Sequence, residues 1–352
     1  MEQLQARGIA LDFQLRGGAI AAFRVQDQGQ LVAPLHRAPW ATAEVPATAP
    51  PHQGWLAGDF FCAPFGDGSA DAAPLHGWTA NGDWAGAKGH YRLTQTVLGA
   101  VVEKHLTLRD DHPFVYQRHV FTGGAGDLPV ANHAMVSLPQ GGHISTSALR
   151  WCETPLHAPE TDVARGRSVL AYPAQAPMHA FPLAAGGVAD LGRYPLGQAH
   201  EDFVIAVASP DINFGWTAVV RAQGDLFLSL RRADRMPLTM FWHSNGGRDY
   251  APWSGRHKGV LGVEEGVGLG MMGFSTQHTP DPLTTAGQPV ALRLGGVAEV
   301  RHIVGAIHWP TSEPVAHVTH TTGLLHITGV AGAARDVPFD DTFLACRFES
   351  GI

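Results

Sequence analysis

Ile9-Ala10-Leu11-Asp12-Phe13-Gln14-Leu15 places large apolar side chains at every second position and smaller or polar ones between them. Successive side chains of an extended chain point to opposite faces, so Ile9, Leu11, Phe13 and Leu15 line one side of a strand. Working outward, Phe114-Val115-Tyr116-Gln117-Arg118-His119-Val120-Phe121, Phe203-Val204-Ile205-Ala206-Val207-Ala208 and Asp225-Leu226-Phe227-Leu228-Ser229-Leu230 are also of strand length, and several alternate at period two. No stretch of twelve or more residues holds an apolar period of 3.6 without Gly or Pro interrupting it. The 42 glycines and 25 prolines punctuate short apolar runs instead. Strands at short intervals with no helices between them pack as antiparallel sheets face to face. The expected fold is therefore all-β, a large antiparallel β-sandwich, with residues 1–352 as one domain, because sandwiches run past roughly 200 residues as single units. Irregular loops are expected over 41–52, 155–166 and 331–336, and no fixed-period repeat is present.

Composition excludes several classes of function. The chain carries 24 Lys and Arg against 31 Asp and Glu, a formal charge of -7, and it has no basic run. That removes the electrostatic footprint of a nucleic-acid binder and favours a neutral or weakly charged small molecule as partner. Met1 to Arg7 contains no apolar signal region, and nowhere do eighteen apolar residues follow one another, so neither secretion by a standard signal nor membrane insertion is expected. Cys62, Cys152 and Cys346 are odd in number, widely spaced and without CxxC spacing. They read as buried free thiols in a reducing, cytoplasmic protein.

Spacing and parity pick out the chemistry-bearing residues. Gly268-Leu269-Gly270-Met271-Met272-Gly273 spells GxGxxG, but Pro280 and Pro282 follow where a dinucleotide fold needs a helix to open, so no nucleotide cofactor is expected. The twenty histidines raise the possibility of a metal, yet His317 and His320 would point to opposite faces of a strand and no HExxH or paired CxxC occurs; neither a metal nor any other cofactor is expected. In Leu261-Gly262-Val263-Glu264-Glu265-Gly266 the parity rule groups Leu261, Val263 and Glu265 on one face and Glu264 with its flanking glycines on the other. If the apolar pair packs inward, Glu264 faces the opposite space, where the glycines leave room for a ring to approach; Glu264 is favoured over Glu265 as the working carboxylate. In Ala131-Asn132-His133-Ala134-Met135, His133 shares a face with two apolar residues, and an imidazole can give and take a proton near neutral pH. His76 precedes Gly77 and is the expected binder. The segment Phe241 to Trp253 is rich in flat rings and planar hydrogen-bonding groups suited to a sugar, which presents apolar C–H faces ringed by hydroxyls. The candidate contacts are Trp78, Trp84, His243, Asn245, Asp249 and Trp253.

Phe61-Cys62-Ala63-Pro64-Phe65-Gly66, then Pro74-Leu75-His76-Gly77-Trp78, Asn132-His133 and Gly262-Val263-Glu264-Glu265-Gly266, in this order, resemble the aldose 1-epimerase (galactose mutarotase-like) family, nearest its hexose-6-phosphate epimerase branch. The resemblance spans residues 8 to 275 and implies a β-supersandwich with a sugar cleft on one sheet. It also implies that His133 protonates the ring oxygen, Glu264 takes the anomeric proton and His76 orients the sugar, so that ring opening and reclosure exchange the α and β anomers. Where the sugar-phosphate branch has an arginine after the histidine-glycine pair this chain has Ala80, and Phe61 to Asp83 contains no Arg or Lys. A free, uncharged sugar is the expected substrate, with Arg248, Arg256 and Lys258 as the cations that would argue for an acidic one. A noncatalytic carbohydrate-binding or regulatory protein is the competing reading. A lyase or glycoside-processing enzyme using Asp249 or Tyr250 is a third. The sequence names neither the sugar nor an oligomeric state.

Overall fold

The computed structural model describes residues 1–66, 73–269 and 282–345. As the alternation predicts, the fold is all-β, an antiparallel sandwich. One sheet of eleven strands runs through Ile9–Gln14, Ala19–Asp27, Asp59–Cys62, Val130–Ser137, Val260–Val267, Leu238–Asn245 and His200–Ala208 in that lateral order. A second, nine-stranded sheet has Phe214–Arg221, Asp225–Arg232, Leu292–His308, Phe114–Leu128, Ala100–Thr107, His90–Leu93 and Trp84–Ala87 as its successive neighbours. Among the described residues helix is confined to short pieces such as Gly77–Asn81 and Pro282–Thr285. Among the described residues no helix is long and apolar enough to cross a membrane.

Three buried clusters explain the layering. Between the two sheets lie Leu11, Phe13, Phe23, Phe61, Val102, Phe121, Leu261, Val263 and Val304. The outer face of the first sheet carries Phe60, Cys62, Ala131, Met135, Met240, Trp242 and Phe203, covered by Trp40, Leu56 and Trp253 from the loops. The outer face of the second sheet is roofed by a three-stranded sheet, Val315–Thr321, Leu324–Gly329 and Ala334–Pro338, whose Val318, Leu325, Ile327 and Val337 pack on Tyr116, Leu228 and Ile303. The last of these strands overlaps 331–336, where an irregular loop was expected. The turn before it is tight, with Gly332 at φ +106°, and alternation resumes directly after it. Cys62 and Cys152 are buried free thiols, and Cys346 lies outside the described residues. Of the GxGxxG stretch, Gly270 to Gly273 also lie outside them, as does Pro280.

The space between the sheets is not purely apolar. Arg231 and Glu265, 1% and 0% exposed, form an ion pair at 2.5 Å, and Thr217 and Thr239 donate hydroxyl hydrogen bonds to the same carboxylate at 2.7 and 2.9 Å. Glu265 therefore belongs to the inter-sheet interior, with Leu261 and Val263. Removing one partner of a buried pair strands the other charge, so Arg231→Met is expected to lower unfolding free energy by about 3–5 kcal/mol in denaturant titrations. A loss below about 1 kcal/mol would show that the pair does not hold the sheets in register.

Candidate active site

His133 sits on Val130–Ser137 directly opposite Glu264 on Val260–Val267, and opposite Phe60 on its other side. Directly paired residues of antiparallel strands project to the same face, so all three emerge on the outer face of the first sheet. His133 Nε2 lies 3.1 Å from Glu264 Oε1, and Phe60 stacks on the imidazole with centroids 4.4 Å apart. Gly262 makes this geometry possible. A Cβ there would come within 2.9 Å of both Glu264 Oε1 and Trp242 Cβ, so the space expected for an approaching ring is taken by the carboxylate and the indole. Trp242 meets His133 edge-on at 5.8 Å.

His76 reaches the same place by a different route. It adopts φ +67° and Gly77 φ +73°, and a Cβ on Gly77 would lie 2.2 Å from the carbonyl of Ala63, so the turn is pressed onto the Ala63–Pro64 backbone and has no room there for a ligand. The His76 ring lies edge-on to His133 at 5.3 Å and to His52 at 4.9 Å. His52 escaped the sequence reading. Its only signal was a histidine after a diproline, which gives no face. Its backbone N–H donates to Asn81 Oδ1 at 2.8 Å, which fixes the short helical turn that presents the ring.

Further along the face, Glu201 is 1% exposed and is a second carboxylate that the sequence did not reveal. Trp242 Nε1 donates to its Oε1 at 2.5 Å and Ser244 Oγ to its Oε2 at 3.1 Å, while Arg248 lies 3.5 Å away. The Arg248 guanidinium is also 4.6 Å from the centre of the Trp253 ring and 5.7 Å from that of Trp242, both cation–π contacts. Trp253 thus joins the cluster, with Trp40 and His257 against it.

The other expected contacts lie elsewhere. His243 is one residue from Trp242 and so faces the inter-sheet interior, stacked on Tyr194 at 5.9 Å and beside His200. Asn245 is used by the loops: its Nδ2 donates to Gly197 O and its Oδ1 accepts from Gly259 N–H. Asp249 is exposed and pairs with Arg167 at 3.3 Å. Trp78 and Trp84 pack against the inter-sheet core, and Trp84 Nε1 donates to Thr79 O. Arg256 pairs with Glu44 at 2.9 Å.

Burial sets the protonation of the cluster. The Glu264 carboxyl is held well above the ordinary carboxylate range by desolvation alone. Desolvation, with the neighbouring His76 and His52, holds His133 well below the usual imidazole value. Both shifts favour the uncharged forms, a protonated carboxyl facing a neutral imidazole across the contact between Oε1 and Nε2. Burial and Arg248 push His76 down to about 4. Partnerless polar atoms gather around the pair: His133 Nδ1, His76 Nδ1, His52 Nδ1, Glu264 Oε2 and Arg248 Nε are all shielded and have no hydrogen-bond partner. Such groups carry a desolvation cost until a ligand or water satisfies them. The arrangement can exchange a proton with a polar molecule and offers such a molecule both donors and acceptors.

No protein-family model matches the chain, and no curated protein matches it significantly. Solved structures do match it. One is the crystal structure of a Klebsiella pneumoniae protein provisionally assigned as an aldose 1-epimerase, which is 12% identical with a TM-score of 0.49 over 86% of this chain and 78% of that one.

The buried imidazoles carry a pH signature. Burial lowers His36 and His76 from 6.5 to about 4 and His243 and His302 to about 3, and puts His52, His119, His133 and His257 well below 6.5. A folded-state value below the unfolded one contributes stability that is complete above 6.5 and lost as pH falls toward the folded value. Glu201, Glu264 and Glu265, and Asp59 at about 6, are raised and work in the opposite sense, losing their contribution as pH rises, but the lowered imidazoles outnumber them. Urea unfolding is expected to show stability falling by at least about 2 kcal/mol between pH 7 and pH 5. A flat or rising profile would contradict the buried neutral histidines.

Proposed function

We propose that the protein is an aldose 1-epimerase-like isomerase that interconverts the α and β anomers of a free sugar, with His133 and Glu264 as its acid and base. The observation that carries this reading is the 3.1 Å contact between a buried imidazole and a buried carboxyl on paired strands, surrounded by partnerless donors and acceptors. Moving the shared proton to Nε2 gives an imidazolium and a carboxylate. Glu264 then takes the proton of the anomeric hydroxyl as the C1–O5 bond opens, and His133 delivers its own to O5. The products are an open-chain aldehyde, a neutral imidazole and a protonated carboxyl, which is the resting tautomer. Rotation about C1–C2 and the reverse transfers close the other anomer. Trp242 and Trp253 supply flat apolar surface for the sugar's C–H face, and His52 and His76 supply polar atoms for its hydroxyls.

The second reading, a noncatalytic sugar-binding or regulatory protein, draws on the burial of the pair: His133 and Glu264 are 3% and 1% exposed, so a ligand reaches them only if side chains above them part. Exchange between anomers, measured by NMR over a panel of aldoses, separates the two. His133→Ala and Glu264→Gln are each expected to slow exchange by roughly 10²–10⁴-fold with a smaller effect on affinity. Exchange at the buffer rate with the unaltered protein, or at the unaltered rate in both variants, would remove the catalytic reading. Arg248 is already offset by Glu201 at 3.5 Å, which favours an uncharged ring. A free hexose is therefore expected to be turned over better than its 6-phosphate and to lose little between low and moderate salt; a salt-sensitive preference for the phosphate would assign Arg248 to an anion.

A further inference from the structure

On the outward face of the second sheet, beside the part that the three-stranded roof covers, His90 and His105 stand directly opposite each other on the paired strands His90–Leu93 and Ala100–Thr107. Glu103, two residues before His105, projects from the same face. Tyr91 and Lys104, at the intervening positions, are fully buried, which fixes the parity. One ligand atom from each of His90, Glu103 and His105 lies within 4.8 Å of the others. His90 Nε2 and Glu103 Oε1 are 3.2 Å apart. Two donors on a tetrahedral ion with bonds of about 2.0–2.1 Å are separated by about 3.3 Å, so this pair already spans one edge of such a site. The two imidazoles stack at 4.4 Å with planes 14° apart, and coordination turns one of them edge-on. The His90 side chain is 58% exposed, which leaves that rotation open. Two cations share this face: Arg92 stands directly opposite Glu103, and Arg118, directly opposite His105, pairs with Glu299 at 2.7 Å, so that the charge of Arg118 is offset before an ion arrives.

We propose that His90, Glu103 and His105 form a surface site for a divalent ion of borderline softness, such as Zn²⁺, held by two imidazole nitrogens and one carboxylate oxygen with water completing the shell. Two nitrogen ligands select this class over Mg²⁺ and Ca²⁺, which take oxygen. The ion clips two neighbouring strands near the sheet's end, next to the outermost strand Trp84–Ala87, and acts on strand pairing, with no part in the chemistry of the His133 face. The site stands independently of the proposed isomerase activity.

The test is a calorimetric titration of the chelator-treated full chain with ZnCl₂, paired with thermal unfolding. One ion is expected to bind and to raise the unfolding midpoint, and Mg²⁺ in excess is expected not to displace it. His90→Ala and Glu103→Gln should each weaken binding by at least about tenfold, since even outer partners of a metal ligand are worth that much. Both positions are on the surface, and His157→Ala, in an exposed loop, serves as the control that leaves binding unchanged. The proposal is overturned if the unaltered chain takes up no Zn²⁺, if Mg²⁺ displaces it, or if the two site variants bind as the control does.

Discussion

The candidate site depends on the register between Val130–Ser137 and Val260–Val267. Because side chains alternate, a slip of one residue would turn His133 into the space between the sheets, or exchange Glu264 for Glu265 beside it. The interior resists that slip. Leu261 and Val263 are embedded among apolar side chains of both sheets, and Glu265 is tied to Arg231, Thr217 and Thr239. Moving Glu265 outward would leave the Arg231 charge buried and unpaired, a cost of several kcal/mol. Two adjacent glutamates thus have separate duties, one fixing the strand and the other presenting a carboxyl to His133.

The opposite face shows a balance between burial and polarity. His52, His76, His133, Glu201, Glu264 and Arg248 lie among the buried apolar residues of the outer face, and few of their polar atoms pair with one another. Desolvation moves the acids up and the imidazoles down, so the groups with the lowest cost are those that stay uncharged. Burial raises Glu201 too, but its partners, the Arg248 guanidinium at 3.5 Å and the Trp242 and Ser244 donors, oppose that shift. A partly unsatisfied polar cluster on a well-packed sheet is the kind of departure from packing rules that ligand sites show.

Much of the architecture was legible in sequence because it rests on period two. Ile9–Gln14 alternates buried and half-buried residues just as its apolar spacing requires, and the split between Glu264 and Glu265 follows from the same parity. Parity was uninformative where both faces are buried. Every residue of Leu238–Ser244 is buried, so nothing in the segment said whether Trp242 or His243 faced the cluster, and the polar residue turned inward to Tyr194 and His200. Asn245, chosen for its planar amide, braces two backbone groups instead, a role that depends on loops distant in sequence. His52 comes to His76, and Glu201 to Arg248, only through tertiary packing, and Arg231 finds Glu265 across the sandwich; no local pattern encodes such meetings.

The central claim is that His133 and Glu264 share one proton at rest and exchange it with a sugar. The most direct measurement is the NMR spectrum of ¹⁵N-histidine-labelled protein, with the His133 signals assigned by comparison with His133→Ala and followed as free hexoses are added. The account predicts a neutral His133 imidazole at pH 7 whose ring nitrogen shifts change when a hexose binds. An imidazolium at rest, or His133 signals that no hexose moves, would contradict it.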